Sequence, residues 1–199
     1  MKRRLMAVIA CVLIACTAAY SQTARQILDK TAATLATASG ARANFHVSGK
    51  LGNTSGTIAV KGKKFNASTP QSVVWFDGKT QWTYMKRSQE VNISTPTEAQ
   101  QQAINPYRFI YMYKNGYKLF SKSVAGGWEV RLVAQGLGKA IKEMYITVGK
   151  NYQLKQVRMK QTGGWTTINV SNFRKANIAD SQFRFNQREY PGAEVIDLR

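Results

Sequence analysis

The sequence has little of what metal binding and catalysis usually require. It contains one histidine, His46, and only two cysteines, Cys11 and Cys16. Structural zinc sites are built from several Cys or His ligands, and a nucleophilic site needs a base beside the nucleophile. His46 lies in an alternating strand pattern, which favours an outward-facing or rim position. The sequence therefore predicts no metal site, no resident cofactor and no catalytic triad.

Acidic residues are also few, and they are isolated. There are 10 Asp and Glu residues against 29 Lys and Arg residues. Asp29 falls in a helix, Asp77 in a turn and Glu98 in a helix cap, which leaves no carboxylate pair for acid–base catalysis. The stretch Gly136–Lys139 lacks the spacing of a phosphate-binding loop and is better interpreted as an ordinary loop. We expect a binding protein and not an enzyme.

Residues 1–21 have the pattern of a signal peptide. A basic start, residues 2–4, precedes the apolar run Leu5–Ala15, which is too short to cross a bilayer. Small residues, Ala19 and Ser21, then stand three and one positions before a cleavage point. The pattern predicts an exported protein.

A second processing pattern overlaps the first. The stretch Leu13–Cys16 resembles a lipobox, which would make Cys16 a lipid-carrying N-terminus, whereas the first pattern leaves Gln22 there. Under the first pattern the loss of three basic residues lowers the net charge from +19 to +16. Residues 22–199 would then be a single domain without cysteine, and such an exported domain must fold on its apolar core alone.

Composition and charge narrow the class of partner. Of the 199 residues, 44% are hydrophobic and 20% are charged, which is typical of a globular domain. The basic residues are scattered and form no compact run. For an exported chain, anionic lipid headgroups or envelope polymers are nearer partners than nucleic acid. We therefore expect no nucleic-acid binding, and a basic outer surface that could help docking.

A helix is predicted just after the leader. Thr23 and Gln26 fit a capping box, in which each side chain accepts a hydrogen bond from the other residue's backbone N–H. Ser39–Gly40 is a suitable end, since glycine tolerates left-handed geometry. A stripe at helical spacing should be buried, at Ile27, Leu28, Thr31 and Leu35.

After Gly40 the apolar spacing changes to two, which is typical of half-buried strands. Tight-turn signals such as Asp77–Gly78 join neighbouring strands. Roughly ten strands in sequential hairpins favour an antiparallel, strongly curved sheet or open barrel. The predicted strands are 43–47, 57–60, one opening at 65, 73–76, 80–84, 91–93, 117–120, 128–134, 144–148, 153–159 and 165–170, with a further short one at 183–185.

A helical insert interrupts the strands. Thr95–Glu98 is a second capping box, and Asn105–Pro106 starts a helix that Asn115–Gly116 ends. The piece Tyr107–Lys114 is apolar or aromatic on nearly every side, so it must be covered or must face an apolar ligand. It is a candidate lid, lined by Phe109, Ile110, Met112 and Tyr113.

Each alternating strand supplies an apolar face, and an open curved sheet can enclose a ligand between such faces. Acyl chains suit such a cavity, since each buried CH₂ contributes about 0.8 kcal/mol. The same faces would also serve as ordinary core, and the pattern alone leaves both interpretations open. The candidate lipid-contacting residues on the strands are Phe45, Val47, Ile58, Val60, Phe65, Trp82, Tyr84, Val91, Ile93, Val130, Leu132, Met144, Ile146, Val148, Val157, Met159, Ile168 and Val170.

The order of these motifs resembles the periplasmic outer-membrane lipoprotein carrier proteins, the LolA-like family. The resemblance rests on Asp77–Tyr84, which reads D-G-K-T-x-W-x-Y, and on the insert with Asn105–Pro106. It rests also on the ending, Phe183–Phe185 followed by Tyr190–Arg199. It spans essentially the whole chain after the leader.

The resemblance implies a mainly β fold with a few helices (α+β). The expected architecture is an unclosed antiparallel half-barrel with a helical lid over a hydrophobic cavity. Acyl chains of lipoproteins would enter the cavity, received from an ATP-driven inner-membrane releasing complex and delivered to the outer membrane, with an outer-membrane acceptor as a further partner. A periplasmic monomer with transient membrane contact is expected.

The sequence departs from the family at one position. Better-known members carry an Arg on an early strand that bonds to backbone carbonyls of the lid, and the stretch Val60–Phe65 has none. Lys61 or Lys63 could donate to a lid carbonyl, although Lys lacks the planar fork of Arg. These two lysines are the candidate lid-control residues.

Two other functions of the same fold stay open. An acylated Cys16 would make the chain a lipid-anchored outer-membrane acceptor of lipoproteins. A regulatory envelope protein that senses lipid or partner proteins is the second, since a fold does not fix a function.

Overall fold

The computed structural model describes residues 22–35, 39–50, 52–97, 112–136 and 138–199. The leader with Cys11 and Cys16, the second capping box at Glu98 and the lid residues Phe109 and Ile110 lie outside the described residues. The described elements are one α-helix, α1 (Ala24–Leu35), and the strands β1 (Ala41–Gly49), β2 (Thr54–Lys61), β3 (Lys64–Ser68), β4 (Ser72–Phe76), β5 (Gln81–Met85), β6 (Glu90–Ser94), β7 (Tyr117–Val124), β8 (Gly127–Ala134), β9 (Glu143–Gly149), β10 (Leu154–Gln161), β11 (Gly164–Lys175) and β12 (Glu194–Asp197).

Helix α1 begins as the capping box predicts. The backbone N–H of Thr23 donates to Oε1 of Gln26 at 3.0 Å, and the backbone N–H of Gln26 donates to Oγ1 of Thr23 at 3.2 Å. Both bonds satisfy N–H groups that a helix start leaves without an intrahelical partner. Within the described residues, no helix is both long enough and apolar enough to span a bilayer. The predicted stripe is buried at Ile27, Leu28, Thr31 and Leu35.

The twelve strands form one sheet in the order β12-β6-β5-β4-β3-β2-β1-β11-β10-β9-β8-β7. Strands β1 to β6 and β7 to β11 are two runs of antiparallel neighbours, as the prediction of sequential hairpins requires. The two runs meet where β1 pairs with β11. Strands β7 and β12 lie at opposite ends of the order, so the sheet is open. The prediction of a mainly β, unclosed sheet is confirmed.

The prediction of a strand at 183–185 is wrong. Asp180–Phe183 forms a 3₁₀ helix, and the last strand is β12, which pairs with β6 in parallel. Phe183 is completely buried with Ala59 and Ile178, and the ring of Phe185 contacts Trp75. The two phenylalanines therefore anchor a segment that crosses the sheet. The sequence could not show this, because an alternation over only three residues looks the same in a strand and in such a segment.

The register gives the sheet two faces. The inner face is the one against which α1 packs, and its side chains form one apolar cluster with the helix. The outer face of β2–β4 is crossed by residues 176–193, which we call the C-terminal segment; it contacts Ala59 of β2 and Trp75 of β4. Because side chains alternate along a strand, neighbouring residues serve these two different surfaces.

Candidate binding surface

The inner face collects most of the predicted lipid-contacting residues onto one surface. Strand pairing sets them side by side, as where Ile146 of β9 lies between Val130 of β8 and Val157 of β10. They belong to the apolar cluster that includes α1. The predicted residues on this face are Phe45, Val47, Ile58, Val60, Phe65, Val130, Leu132, Met144, Ile146, Val148, Val157, Met159, Ile168 and Val170.

Helix α1 packs on the inner face at β7 and β8, and several inner side chains of β8–β10 are completely buried. The side chains of Val130, Leu132, Met144 and Met159 are all 0% exposed. Burying a side chain of this size contributes about 1.5–3 kcal/mol to folding. On these strands, therefore, the apolar alternation serves as core.

Tyr152, in the turn between β9 and β10, ties the helix to the sheet. Nε2 of Gln22 donates to its hydroxyl oxygen at 2.8 Å, and Nζ of Lys30 donates at 3.2 Å. These hydrogen bonds lower the pKa of Tyr152, because they stabilise the phenolate. Its ring stacks on Trp128 with the two centroids 5.1 Å apart. The position of α1 over β7 and β8 is therefore fixed by polar and aromatic contacts as well as by burial.

The inner face is less completely covered on β1, β3, β4 and β11. Phe45 lies over Gly56 of β2, where a Cβ would stand 2.7 Å from the ring. A side chain at this position would therefore have to displace the ring of Phe45. We call the partly exposed apolar side chains in this region the open strip: Phe45, Val47, Ala67, Val74 and Val170.

Two members of the open strip, Ala67 and Val74, were missed by the sequence analysis. Val74 belongs to the continuous apolar run Val73–Phe76, which places apolar side chains on both faces of the sheet. An uninterrupted run gives no alternation from which to assign a face. The pairing of Val74 with Ala67 and Thr83 shows that its side chain lies on the inner face.

The described end of the helical insert rests on α1. Tyr113 is 1% exposed, and its hydroxyl donates a hydrogen bond to Oδ1 of Asp29. The guanidinium carbon of Arg25 lies 5.7 Å from the centre of its ring. Met112 packs against the apolar cluster beside it. Both predicted lid residues within the described range therefore face the core.

Four predicted residues lie on the other side of the sheet. In the register of β4, β5 and β6, Trp82 faces Trp75 and Ile93, and Tyr84 faces Val73 and Val91. The expectation that they share one surface with the other candidates is wrong. The inward positions of β5 are the polar residues Gln81 and Thr83, and on the outward side Tyr190 of the C-terminal segment contacts Tyr84. The separated residues are Trp82, Tyr84, Val91 and Ile93.

The candidate lid-control lysines do not face the inner side. Nζ of Lys61 donates to the backbone carbonyl of Ile178 at 2.9 Å, so it holds the C-terminal segment on the outer face. Lys63 is exposed in the turn between β2 and β3. The prediction that either donates to a lid on the inner side has no support in these positions. Asp180 receives hydrogen bonds from Lys64 and then Lys61, which lower its pKa to about 2.

A groove of about 790 Å³ lies between β3, β4 and the C-terminal segment on the outer face. Its aromatic wall is formed by Trp75, whose ring centroid lies 5.6 Å from that of Phe185 and 5.5 Å from that of Tyr190. Tyr84 extends the cluster, 4.7 Å from Tyr190. The motif residues of the chain's ending thus meet those of Asp77–Tyr84 in space.

Two polar residues considered for catalysis, His46 and Asp77, form local hydrogen bonds. His46 is exposed, and its Nδ1 lies 2.8 Å from Oγ of Ser55. Oδ1 of Asp77 accepts the backbone N–H groups of Lys79 and Thr80, which closes the predicted turn. Across the described ranges, no group of three His, Cys, Asp or Glu side chains could hold a metal ion.

Among solved structures, an uncharacterized conserved protein from Thermus thermophilus matches with a TM-score of 0.61 at 15% identity, over 88% of this chain and 99% of that one. A LolA superfamily protein from Nitrosomonas europaea matches with a TM-score of 0.45 at 10% identity, over 83% and 99%. MucB of Pseudomonas aeruginosa, in its complex with MucA, matches with a TM-score of 0.42 at 13% identity, over 82% and 61%. The first of these likenesses shows a shared fold.

A search of curated proteins gives no match. The model of one protein family does match, over residues 14–163. That range includes the D-G-K-T-x-W-x-Y stretch and the strands β1 to β10. On this match the chain belongs to the family of the outer membrane lipoprotein carrier protein LolA, whose members are periplasmic carriers and binders.

Proposed function

We propose that the protein is a periplasmic carrier that holds the acyl chains of lipoproteins and moves them from the inner to the outer membrane. The observation that carries the proposal is the open strip. It is apolar, partly exposed and continuous with the buried cluster on the same face. An acyl chain lying on it would be removed from water without needing any charged or hydrogen-bonding group.

The energetics favour reversible holding. Each CH₂ transferred from water contributes about 0.8 kcal/mol, so a partly buried chain can be held firmly without a covalent bond. Transfer then needs only a second apolar site with a greater affinity. The predicted mechanism is shielding and hand-over, with no bond made or broken, in line with a family of binders.

The partners follow from the same proposal. Acylated lipoproteins are the cargo, an inner-membrane releasing complex supplies them, and an outer-membrane acceptor receives them. Membrane contact is transient, and the carrier acts as a monomer.

A release assay tests the carrier role. Membranes bearing radiolabelled acylated lipoproteins are incubated with ATP and the purified protein, and soluble label that co-elutes with the protein is measured. We expect label in the soluble fraction. The proposal would be contradicted if the protein released no labelled lipoprotein from membranes from which a known carrier does release it.

Matched variants test the open strip in the same assay. Val74→Glu places a carboxylate on the strip, and Val195→Glu places one on β12 at the far end of the sheet, where the side chain of Val195 is 42% exposed. We expect Val74→Glu to reduce release at least 10-fold and Val195→Glu to leave it near wild type. Val47→Glu is the second strip variant, in case Val74→Glu does not fold. Wild-type release by folded strip variants would show that acyl chains bind elsewhere.

The lipobox-like stretch Leu13–Cys16 supports one alternative, a lipid-anchored acceptor of the same fold. The intact mass of the processed protein separates the two. A Gln22 start agrees with the carrier, whereas a diacyl adduct on Cys16 would favour the acceptor.

A further inference from the structure

The outer face of β7–β11 carries a continuous row of cations and aromatic rings. We call it the cation–aromatic ladder: Lys118, Phe120, Arg131, Tyr145, Arg158 and Trp165. All six occupy outward positions of the register, with Arg131 opposite both Phe120 and Tyr145, and Tyr145 opposite Arg158. At a strand spacing of about 4.8 Å, a row over five strands is about 19 Å wide.

Each rung contacts the next. Nζ of Lys118 lies 5.3 Å from the ring centre of Phe120, and the guanidinium carbon of Arg131 lies 5.9 Å from the ring centres of both Phe120 and Tyr145. The guanidinium carbon of Arg158 then lies 5.7 Å from the centre of Tyr145 and 5.2 Å from that of Trp165. These contacts hold the charged groups and the rings in one layer.

The face has an excess of positive charge. Its two acidic residues, Glu129 and Glu143, are already paired with Lys122 at 2.9 Å and Arg131 at 2.6 Å. Lys118, Arg158 and the neighbouring Lys160 form no salt bridge within the described residues. Three cations on this face are therefore available to an anionic partner.

One apolar group projects from the same face. The side chain of Phe120 is 43% exposed, and it stands between Lys118 and Arg131. An exposed aromatic ring flanked by cations suits the boundary between lipid headgroups and acyl chains, where aromatic rings concentrate at membrane interfaces. An acidic protein surface would neutralise the charges, but it would give the exposed ring no apolar layer to enter.

We propose that the cation–aromatic ladder docks the protein onto a bilayer that contains anionic phospholipids. The cations contact headgroup phosphates, and Phe120 enters the interfacial layer. This site lies on the face opposite the open strip, so the proposal goes beyond lipoprotein carriage and does not depend on it.

The test is binding of the purified protein to vesicles that carry no lipoprotein. Vesicles of phosphatidylcholine alone are compared with vesicles containing 30% phosphatidylglycerol, by flotation, at low and at high salt. We expect binding to the anionic vesicles only, weakened by salt because screening reduces charge–charge attraction. No binding to the anionic vesicles would overturn the proposal.

Two triple variants with the same net charge locate the contact. The ladder variant changes Lys118, Arg158 and Lys160 to Gln. The control variant changes Lys63, Lys79 and Arg87 to Gln, three exposed residues in other turns. Since a basic residue near an anionic surface contributes about fivefold to binding, we expect the ladder variant to lose roughly 10- to 100-fold in vesicle partitioning and the control variant to lose far less. Equal losses would show that only net charge matters and would contradict a defined docking face.

A further pair of variants tests the apolar contact. Phe120→Ser removes the exposed ring, and Leu198→Ser removes another exposed apolar side chain, which is 64% exposed near the C-terminus. We expect only Phe120→Ser to weaken binding, several-fold. Unchanged vesicle binding in both the ladder variant and Phe120→Ser, with loss of binding to an acidic envelope protein, would instead assign the face to a protein partner.

Discussion

Nζ of Lys61 lies 2.9 Å from Oδ1 of Asp180, and this ion pair joins strand β2 to the C-terminal segment on the outer face of the sheet. Lys64 pairs with the other carboxylate oxygen of the same residue at 2.6 Å. Asp180 therefore receives two ammonium groups from the two sides of one hairpin. Lys61, one of the two candidate lid-control residues, is thereby held against the C-terminal segment on the outer face.

The pKa of Asp180 leads to a pH prediction. Hydrogen bonds from Lys64 and Lys61 lower it from 3.8 to about 2. A carboxyl whose pKa is lowered by folding stabilises the native state above its unfolded pKa, and this stabilisation is lost as the pH falls through the folded value. We expect Asp180 to titrate near pH 2 by carboxyl NMR. We also expect Asp180→Asn to lose less stability than wild type between pH 5 and pH 2. Titration near 3.8 would show that the pair is absent in solution.

Tyr113 leads to a prediction about the end of the helical insert. Its ring is buried, while its hydroxyl donates to Asp29 at the surface of α1. Tyr113→Phe removes only the hydrogen bond and should lower the free energy of unfolding by about 1 kcal/mol. Tyr113→Ala also leaves a cavity and should lower it by about 3–5 kcal/mol. Urea denaturation measures both. Equal losses from the two variants would mean that the ring does not pack in the core.

Gly56 leads to a prediction about the open strip. A Cβ at this position would stand 2.2 Å from the carbonyl oxygen of Ser68 and 2.7 Å from the ring of Phe45, so neighbouring atoms would have to move. We expect Gly56→Ala to lower the free energy of unfolding by about 1–3 kcal/mol. Gly138→Ala is the control, because a Cβ there meets nothing within 4 Å. Thermal or urea unfolding that shows no difference between the two variants would contradict the close packing of Phe45.

Much of the fold could be predicted from local patterns. The capping box of Thr23 and Gln26, the buried stripe of α1 and most of the strands depend on contacts between residues near in sequence. Strand β12 could not be predicted in this way. Its partner β6 is about a hundred residues earlier and runs parallel to it, and no turn between them marks the pairing.

The candidate site could be predicted only in part, because alternation identifies two faces of a strand without saying which one is inward. On β1 and β8–β11 the apolar side lies on the inner face, in the cluster that includes α1. On β5 and β6 the apolar side faces outward, because Tyr190 covers Tyr84 and Trp75 there. Apolar and polar residues alternate in the same way whether the outer or the inner face of a strand is covered. The alternation alone therefore does not identify the covered face.

The sequence by itself determined the class of protein: a mainly β chain with the motifs of the lipoprotein carrier family. The tertiary structure decided which apolar residues are core, which form the open strip and which lie under the C-terminal segment. It also brought Arg131, Tyr145 and Arg158 together from three strands. Such groupings arise from strand order and register, which depend on contacts between residues far apart in the chain.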